Sequence, residues 1–151
     1  MYSNAKKRKK LLLDTCVFLH YLLGDKLADK AEILVKQAVK REATLYVSSE
    51  AYDDAITALR SKGVKDDVIL DLLEKWAAIP HRPLPTTVEI AAEALKLYRK
   101  HGGRRKLHYF DAFHVATSKH YGIPLVTSNK YITENAEKLG INAINLKTLK
   151  H

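Results

Sequence analysis

The chain has 151 residues and a net charge of +9, and 46% of its residues are hydrophobic. This predicts one domain with a sizeable core, residues 11–151, behind a basic tail at residues 1–10. The lone Cys16 excludes an internal disulfide or a cysteine-built zinc site and fits a reducing cytoplasm, while the charge favours nucleic acid as partner. No apolar stretch reaches the roughly 18 residues that span a bilayer, so we expect a cytoplasmic protein without a membrane partner.

Short apolar runs alternate with helical patterns along the chain. The runs typical of strands are residues 11–13, 44–47, 124–127 and 143–146, with a weaker run at 79–84. Pro80 and Pro83 interrupt the weaker run, which therefore predicts a short edge strand or a loop.

Helical spacing of apolar residues fills the intervals between these runs. The predicted helices are residues 27–41, a helix capped by Ser49, and residues 66–76, 87–100 and 107–121. The stretch from Ser49 to Trp76 predicts two helices that form a protruding pair. Strands that alternate with helices predict a parallel α/β sheet flanked by helices.

Two polar residues follow predicted strands. Asp14 comes directly after residues 11–13, and Asn129 lies just beyond residues 124–127. Ligands of parallel sheets bind beyond the carboxyl ends of the strands, which makes both residues candidates for a site. Each also stands where a helix begins, so capping that helix is the alternative role.

Further acids lie on two predicted helices. Asp111 stands between Phe110 and Ala112, and a carboxylate on so apolar a helix must be paired, hydrogen-bonded or metal-bound. A salt bridge to a buried Arg or Lys is the alternative to a metal. Glu50, Asp53 and Asp54 suit the first turn of their own helix, and one of them is expected to reach the pocket of Asp14.

A basic protein that gathers carboxylates matches the needs of nucleic-acid cleavage. Mg²⁺ and Mn²⁺ prefer oxygen ligands, and such a cation activates water and neutralises a phosphate. The basic run Arg104, Arg105 and Lys106 precedes the helix of Asp111 and is a candidate for RNA contact, or else a solvated loop.

Three segments together resemble the PIN-domain family, in particular its VapC-like toxins. They are LLLDT at residues 11–15, YFDAFHVAT at 109–117 and GIPLVTSN at 122–129. The family's second acid is usually a Glu about five residues after a Ser or Thr, and counting from Ser49 places it at Asp54. Asn129 departs from the family's frequent Asp and would weaken a second metal site.

The resemblance implies a Rossmann-like PIN domain, with a central parallel sheet of about five strands flanked by helices. It also implies Mg²⁺- or Mn²⁺-dependent RNA hydrolysis, a homodimer or higher oligomer and, in the toxin branch, a small antitoxin partner. The implied catalytic residues are Asp14, Asp54, Asp111 and Asn129, the first three as metal ligands with Glu50 in reserve for Asp54, and with support from Thr15 and Ser128.

Three other interpretations remain open. A catalytically weak PIN-like module that binds RNA or a protein is the main alternative, and Asn129 favours it. A response-regulator-like domain would also place an Asp at a strand end. A zinc site at His108, Asp111 and His114 is disfavoured because residues six apart on a helix diverge by about 120°, and His114 is expected to pack or hydrogen-bond near the acids instead.

Overall fold

The computed structural model describes residues 8–150, which form a five-stranded parallel sheet between layers of helices. The strands are β1 (Lys9–Leu13), β2 (Ala43–Ser48), β3 (Arg82–Leu84), β4 (Leu125–Thr127) and β5 (Ala143–Asn145). The helices are α1 (Thr15–Leu23), α2 (Ala28–Val39), α3 (Ala51–Ser61), α4 (Asp66–Ala77), α5 (Val88–His101), α6 (Tyr109–Tyr121), α7 (Lys130–Glu134) and α8 (Ala136–Leu139). A short 3₁₀ helix, Leu146–Thr148, follows β5.

The strand order is β3-β2-β1-β4-β5, and every pairing is parallel. The predicted α/β class is therefore confirmed. β1 pairs with β2 and β4, whereas the response-regulator arrangement would pair the first strand with the second and the third. That interpretation is wrong for this chain.

β1 lies at the centre of the sheet, and its side chains alternate between two cores. Leu11 and Leu13 pack into one core with helices α1 to α4, and Leu12 packs into the other with α5 to α7. This alternation follows from the two-residue period of a strand. Since both faces are covered, the strand is apolar throughout this stretch, as is usual for parallel sheets.

Several boundaries differ from the sequence predictions. β1 begins at Lys9, so two residues assigned to the basic tail pair with Ala43 and Thr44 of β2. The rest of that tail, residues 1–7, lies outside the described residues. The weak run at 79–84 is the edge strand β3.

The N-cap of helix α3 lies one residue later than the predicted cap, Ser49. Glu50 occupies the N-cap position, and the hydroxyl of Ser49 instead contacts Thr86, whose backbone N–H donates to it. The predicted helix pair is present as α3 and α4, but it packs on Leu19 and Leu22 of α1 instead of protruding alone. Within residues 8–150, no helix is both long and apolar enough to cross a membrane.

Candidate active site

A cleft of about 340 Å³ lies at the carboxyl edge of the sheet. Asp14 reaches it from the end of β1, Asp54 from α3 and Asp111 from α6, while Ser128 and Asn129 reach it from the loop after β4. The central position of β1 and β4 in the sheet explains this convergence, because their carboxyl ends are neighbours. The structure thus brings the three acids predicted from the sequence to one cleft.

The carboxylate of Asp14 is turned toward the cleft although the residue begins α1. Asp14 is the N-cap of that helix, but its side chain makes no capping hydrogen bond. Oδ2 accepts a hydrogen bond from Thr127 Oγ1 at 2.7 Å, and Oδ1 lies 3.9 Å from His114 Nε2. The capping alternative therefore does not account for this carboxylate, which is almost fully buried.

His114 of α6 is fully buried among these acids. Its Nδ1 lies 2.8 Å from Ser48 Oγ, and its Nε2 lies 2.9 Å from Asp54 Oδ2 and 3.0 Å from Thr15 Oγ1. Burial alone would lower the pKa of His114, but the hydrogen bond to Asp54 and the charges of the nearby aspartates outweigh it and raise the pKa. The nearby carboxylates thus stabilise the protonated imidazole of His114 more than burial disfavours it.

Asp54, and not Glu50, is the second acid in the cleft. The side chain of Asp54 is one-fifth exposed and contacts His114. Glu50 stands at the N-cap of α3 beside the hydroxyl of Ser49, 3.4 Å away, and does not line the cleft. Glu50 and Asp54 lie one helical turn apart, and of the two Asp54 lines the cleft.

Asp111 stands in the first turn of α6 and accepts two hydrogen bonds through Oδ2. The donors are the backbone N–H of His108 at 3.1 Å and Asn129 Nδ2 at 3.3 Å. Burial, followed by the negative charge of Asp14, raises the pKa of Asp111 to about 7. Among residues 8–150, the basic side chain within ion-pair distance of this carboxylate is that of His108, 3.7 Å away and mostly exposed, so a buried Arg or Lys is not its partner.

Asn129 uses both ends of its amide. Oδ1 accepts a hydrogen bond from the backbone N–H of Ile132 and so caps α7, while Nδ2 donates to Asp111. The capping alternative raised by the sequence is therefore real for this residue. The amide holds Asp111 in place through the same side chain.

The donor set suits a hard divalent cation. Asp14, Asp54 and His114 each offer one atom, and these atoms lie within 4.8 Å of one another. Asp111 lines the same cleft outside this group, close enough to Asp14 for the charge of Asp14 to raise the pKa of Asp111. Carboxylate oxygens are the ligands preferred by Mg²⁺ and Mn²⁺, so these residues fit such a metal.

The disfavoured zinc site at His108, Asp111 and His114 is not formed among the described residues. His108 is not in the metal-binding group, and its ring is exposed at the rim of the cleft. His114 is instead hydrogen-bonded within the acid cluster, as expected. The supporting residues differ in their contacts: Thr15 reaches His114, and Ser128 Oγ reaches Cys16 Sγ at 3.3 Å.

The basic residue that lines the cleft is Lys62, at the end of α3. The predicted RNA-contacting residues Arg104, Arg105 and Lys106 are exposed on the loop between α5 and α6 and do not line it. That loop leads directly into His108, which does. Arg105 has a positive φ of 60°, which marks a tight turn at the tip of the loop.

Sequence reasoning did not select Ser48, Thr127, Lys62 or His20 as residues near the site. Ser48 and Thr127 end strands β2 and β4, and strand ends are the positions that already pointed to Asp14, so this signal could have found them. Lys62 and His20 carry no such signal, because their positions depend on how α3 and α1 pack.

Comparisons with known proteins agree with this architecture. The family model described as "PIN domain" matches residues 11–138. A search of curated proteins finds no match.

Among solved structures, VapBC2 from Rickettsia felis, bound to a DNA fragment from its promoter, has a similar chain. It is 15% identical, with a TM-score of 0.67, covering 90% of this chain and 98% of that chain. The DNA-bound VapBC from Salmonella typhimurium is 15% identical with a TM-score of 0.64 over 91% and 98% of the two chains. FitAcB from Neisseria gonorrhoeae is 18% identical with a TM-score of 0.59 over 92% and 99%. At these identities the likeness concerns the fold.

Proposed function

The chain belongs to the PIN domain family, and from this family and the acidic cleft we propose that it is a Mg²⁺- or Mn²⁺-dependent endoribonuclease of the VapC toxin type. The observation that carries the proposal is the convergence of Asp14, Asp54 and Asp111 on one cleft. The pKa of Asp111, raised to about 7 by burial and by Asp14, marks a surplus of negative charge that a divalent cation would relieve.

Asp14, Asp54 and Asp111 would hold the metal, with His114 as a neighbour. A bound Mg²⁺ or Mn²⁺ supplies a Lewis acid that lowers the pKa of water and neutralises phosphate charge. His114 steadies Asp54, Thr127 steadies Asp14, and Asn129 steadies Asp111. Such outer hydrogen bonds fix the orientation of ligating carboxylates.

RNA is the substrate class we propose, because the protein combines this acidic cleft with a net charge of +9. Lys62 at the cleft and the loop residues Arg104, Arg105 and Lys106 are placed to attract a phosphate backbone. We also propose a cytoplasmic location for the protein.

Structural neighbours include a toxin-antitoxin complex from Klebsiella pneumoniae and a member of the VapBC family of toxin-antitoxin systems, and we extend that association to this chain as part of the proposal. It would act as a homodimer or higher oligomer and be held inactive by a small antitoxin. Affinity purification of the tagged chain from its native cells, followed by mass spectrometry of small co-purified proteins, tests the partner.

The test of the nuclease is cleavage of a labelled RNA pool by the purified chain, with Mn²⁺, with Mg²⁺ or with EDTA, beside Asp111→Asn. We expect metal-dependent cutting by the wild type and at most a trace by the variant. RNA that is bound but never cut, under either metal, would instead favour the catalytically weak binding module.

A further inference from the structure

A hydrogen-bonded chain runs from the protein surface to the wall of the acidic cleft. Asp25 Oδ2 lies 2.6 Å from His20 Nδ1, and His20 Nε2 lies 3.3 Å from Ser128 Oγ. Ser128 lines the cleft, whereas the other two residues stand behind it on α1 and on the loop that follows. A carboxylate, an imidazole and a hydroxyl in this order let a proton move between the imidazole and the hydroxyl.

Asp25 is held so that it fixes the imidazole. Its Oδ1 accepts the backbone N–H of Leu27 at 3.0 Å while Oδ2 faces His20. Slight burial raises the pKa of Asp25, but the hydrogen bonds from His20 and Leu27 outweigh it and lower the pKa. The carboxylate therefore accepts the Nδ1–H of His20, and Nε2 is the nitrogen that gains and loses a proton toward Ser128.

The hydroxyl of Ser128 has two side-chain neighbours, His20 Nε2 and Cys16 Sγ, each at 3.3 Å. The ring of His20 is about one-fifth exposed, so solvent can reload it with a proton. Neither His20 nor Asp25 contacts Asp14, Asp54 or Asp111 in any hydrogen bond or ion pair between described residues. His20 and Asp25 are thus separate from the residues proposed to hold the metal.

The charged and titratable groups around this chain come from several elements. Lys26 adjoins Asp25 on the loop after α1, and Cys16 lies on α1 itself. Five more such groups line the cleft, from the end of β1, from α3 and its C-cap, and from the start of α6: Asp14, Asp54, Lys62, His108 and Asp111.

We propose that Ser128 protonates the leaving ribose oxygen and that His20, oriented by Asp25, supplies the proton through it. This inference rests on the proposed nuclease function. As water attacks phosphorus and the bond to the leaving oxygen breaks, the Ser128 hydroxyl gives its proton to that oxygen. Ser128 takes a proton from His20 Nε2, solvent reprotonates His20, and the attacking water releases one proton to solvent. His20 and Asp25 are positioning residues because they act through Ser128.

The experiment compares wild type, His20→Gln and Asp25→Asn on an RNA whose cleavage site has been mapped with the wild type. His120→Gln, an exposed histidine on α6 outside the cleft, is the matched control. We expect His20→Gln to lower kcat about 100-fold, the lower end of the range for general acid–base catalysis, with KM and Mn²⁺ affinity unchanged. The fall in rate that the wild type shows at high pH should disappear in this variant. Asp25→Asn should also lower kcat, because an amide can donate to Nδ1 and so no longer fixes the tautomer of the imidazole.

A second substrate separates proton donation from a structural effect. With sulfur in place of the leaving oxygen at the mapped site, the leaving group needs no proton, so His20→Gln should cut it nearly as fast as wild type. Equal defects on both substrates, or a wild-type pH profile in His20→Gln, would overturn the inference while leaving the nuclease intact. A wild type that does not cut RNA with either metal would overturn the nuclease proposal and this inference with it.

Discussion

Helices α1 and α3 each build two regions of opposite character. One is the acidic cleft, and the other is an aromatic cluster in which Phe18, Tyr52 and His81 surround Trp76. Tyr52 and Asp54 are two residues apart on α3, so they leave the helix about 200° apart and enter different regions. The ring centroid of Trp76 lies 5.1 Å from that of Phe18 and 4.8 Å from that of Tyr52.

The two regions contribute to stability with opposite signs. The aromatic cluster buries large apolar surfaces, which favours folding. The cleft crowds carboxylates together, and the raised pKa of Asp111 reports that its charged form is disfavoured there. Substitutions in the cluster should therefore cost stability, whereas substitutions in the cleft should cost activity and spare or increase stability.

The largest expected effect is on the aromatic side. Trp76→Ala should lower the free energy of unfolding by about 3–5 kcal/mol, because it empties the centre of the cluster. Trp76→Phe should cost much less, since the buried indole N–H has no hydrogen-bond partner among residues 8–150 and its removal eliminates an unsatisfied polar group. Urea unfolding of both variants measures this; equal losses would contradict the role given to the orphan N–H.

On the acidic side, Asp14→Asn should reduce RNA cleavage about 10²–10³-fold, because an anionic oxygen beside the proposed metal is lost. The amide oxygen still accepts the hydrogen bond from Thr127, so the fold should survive. Steady-state cleavage with Mn²⁺ measures the rate, and thermal unfolding serves as the control. Near-wild-type cleavage would remove Asp14 from the site.

Asp111→Asn should stabilise the folded protein at high pH, whereas most substitutions of buried residues destabilise it. The pKa of Asp111 in the folded state, about 7, lies above its ordinary value of 3.8. The protonated carboxyl therefore adds to the free energy of unfolding at low pH, and this contribution is lost as the pH rises through about 7. Without metal, the variant should melt above the wild type at pH 8, and the difference should shrink at pH 5. A shift of on the order of 2–4 °C per kcal/mol is expected for a chain of this size.

Metal provides the control for that measurement. Added Mn²⁺ should raise the Tm of the wild type at pH 8 and raise that of Asp111→Asn far less, because a ligand stabilises only the state that binds it. Scanning calorimetry at the two pH values checks both statements. A variant that melts lower than the wild type at pH 8 would show that Asp111 acts mainly as the cap of α6.

The smallest effect is expected for the basic residues at and near the cleft. Lys62→Ala should raise KM for RNA about 2–5-fold with little change in kcat, and should reduce the salt slope of binding by about one phosphate contact. Arg105→Ala on the loop after α5 is the paired variant, since it tests the contact predicted from sequence outside the cleft. Binding titrations at several salt concentrations distinguish the two; unchanged slopes in both would place the RNA elsewhere.

Much of the fold could be predicted because the signals are local. Pro80 and Pro83 limited residues 79–84 to a short edge strand or a loop, and the order of strands and helices predicted the parallel sheet. Helix α1 was not distinguished, because its residues are apolar on most sides and the helical period is masked. The predicted N-cap Ser49 does not cap α3, because its hydroxyl hydrogen-bonds with Thr86, which is distant in sequence.

The sequence by itself determined the sheet and the candidate acids, because strand ends and apolar periodicity are set by neighbours along the chain. Only the tertiary structure decided that Asp54 and not Glu50 enters the cleft, that His114 lies among the acids, and that Asn129 both caps α7 and holds Asp111. It also decided that His20 and Asp25 reach Ser128. These contacts join residues as many as 108 positions apart, and their geometry depends on the packing of whole helices against the sheet.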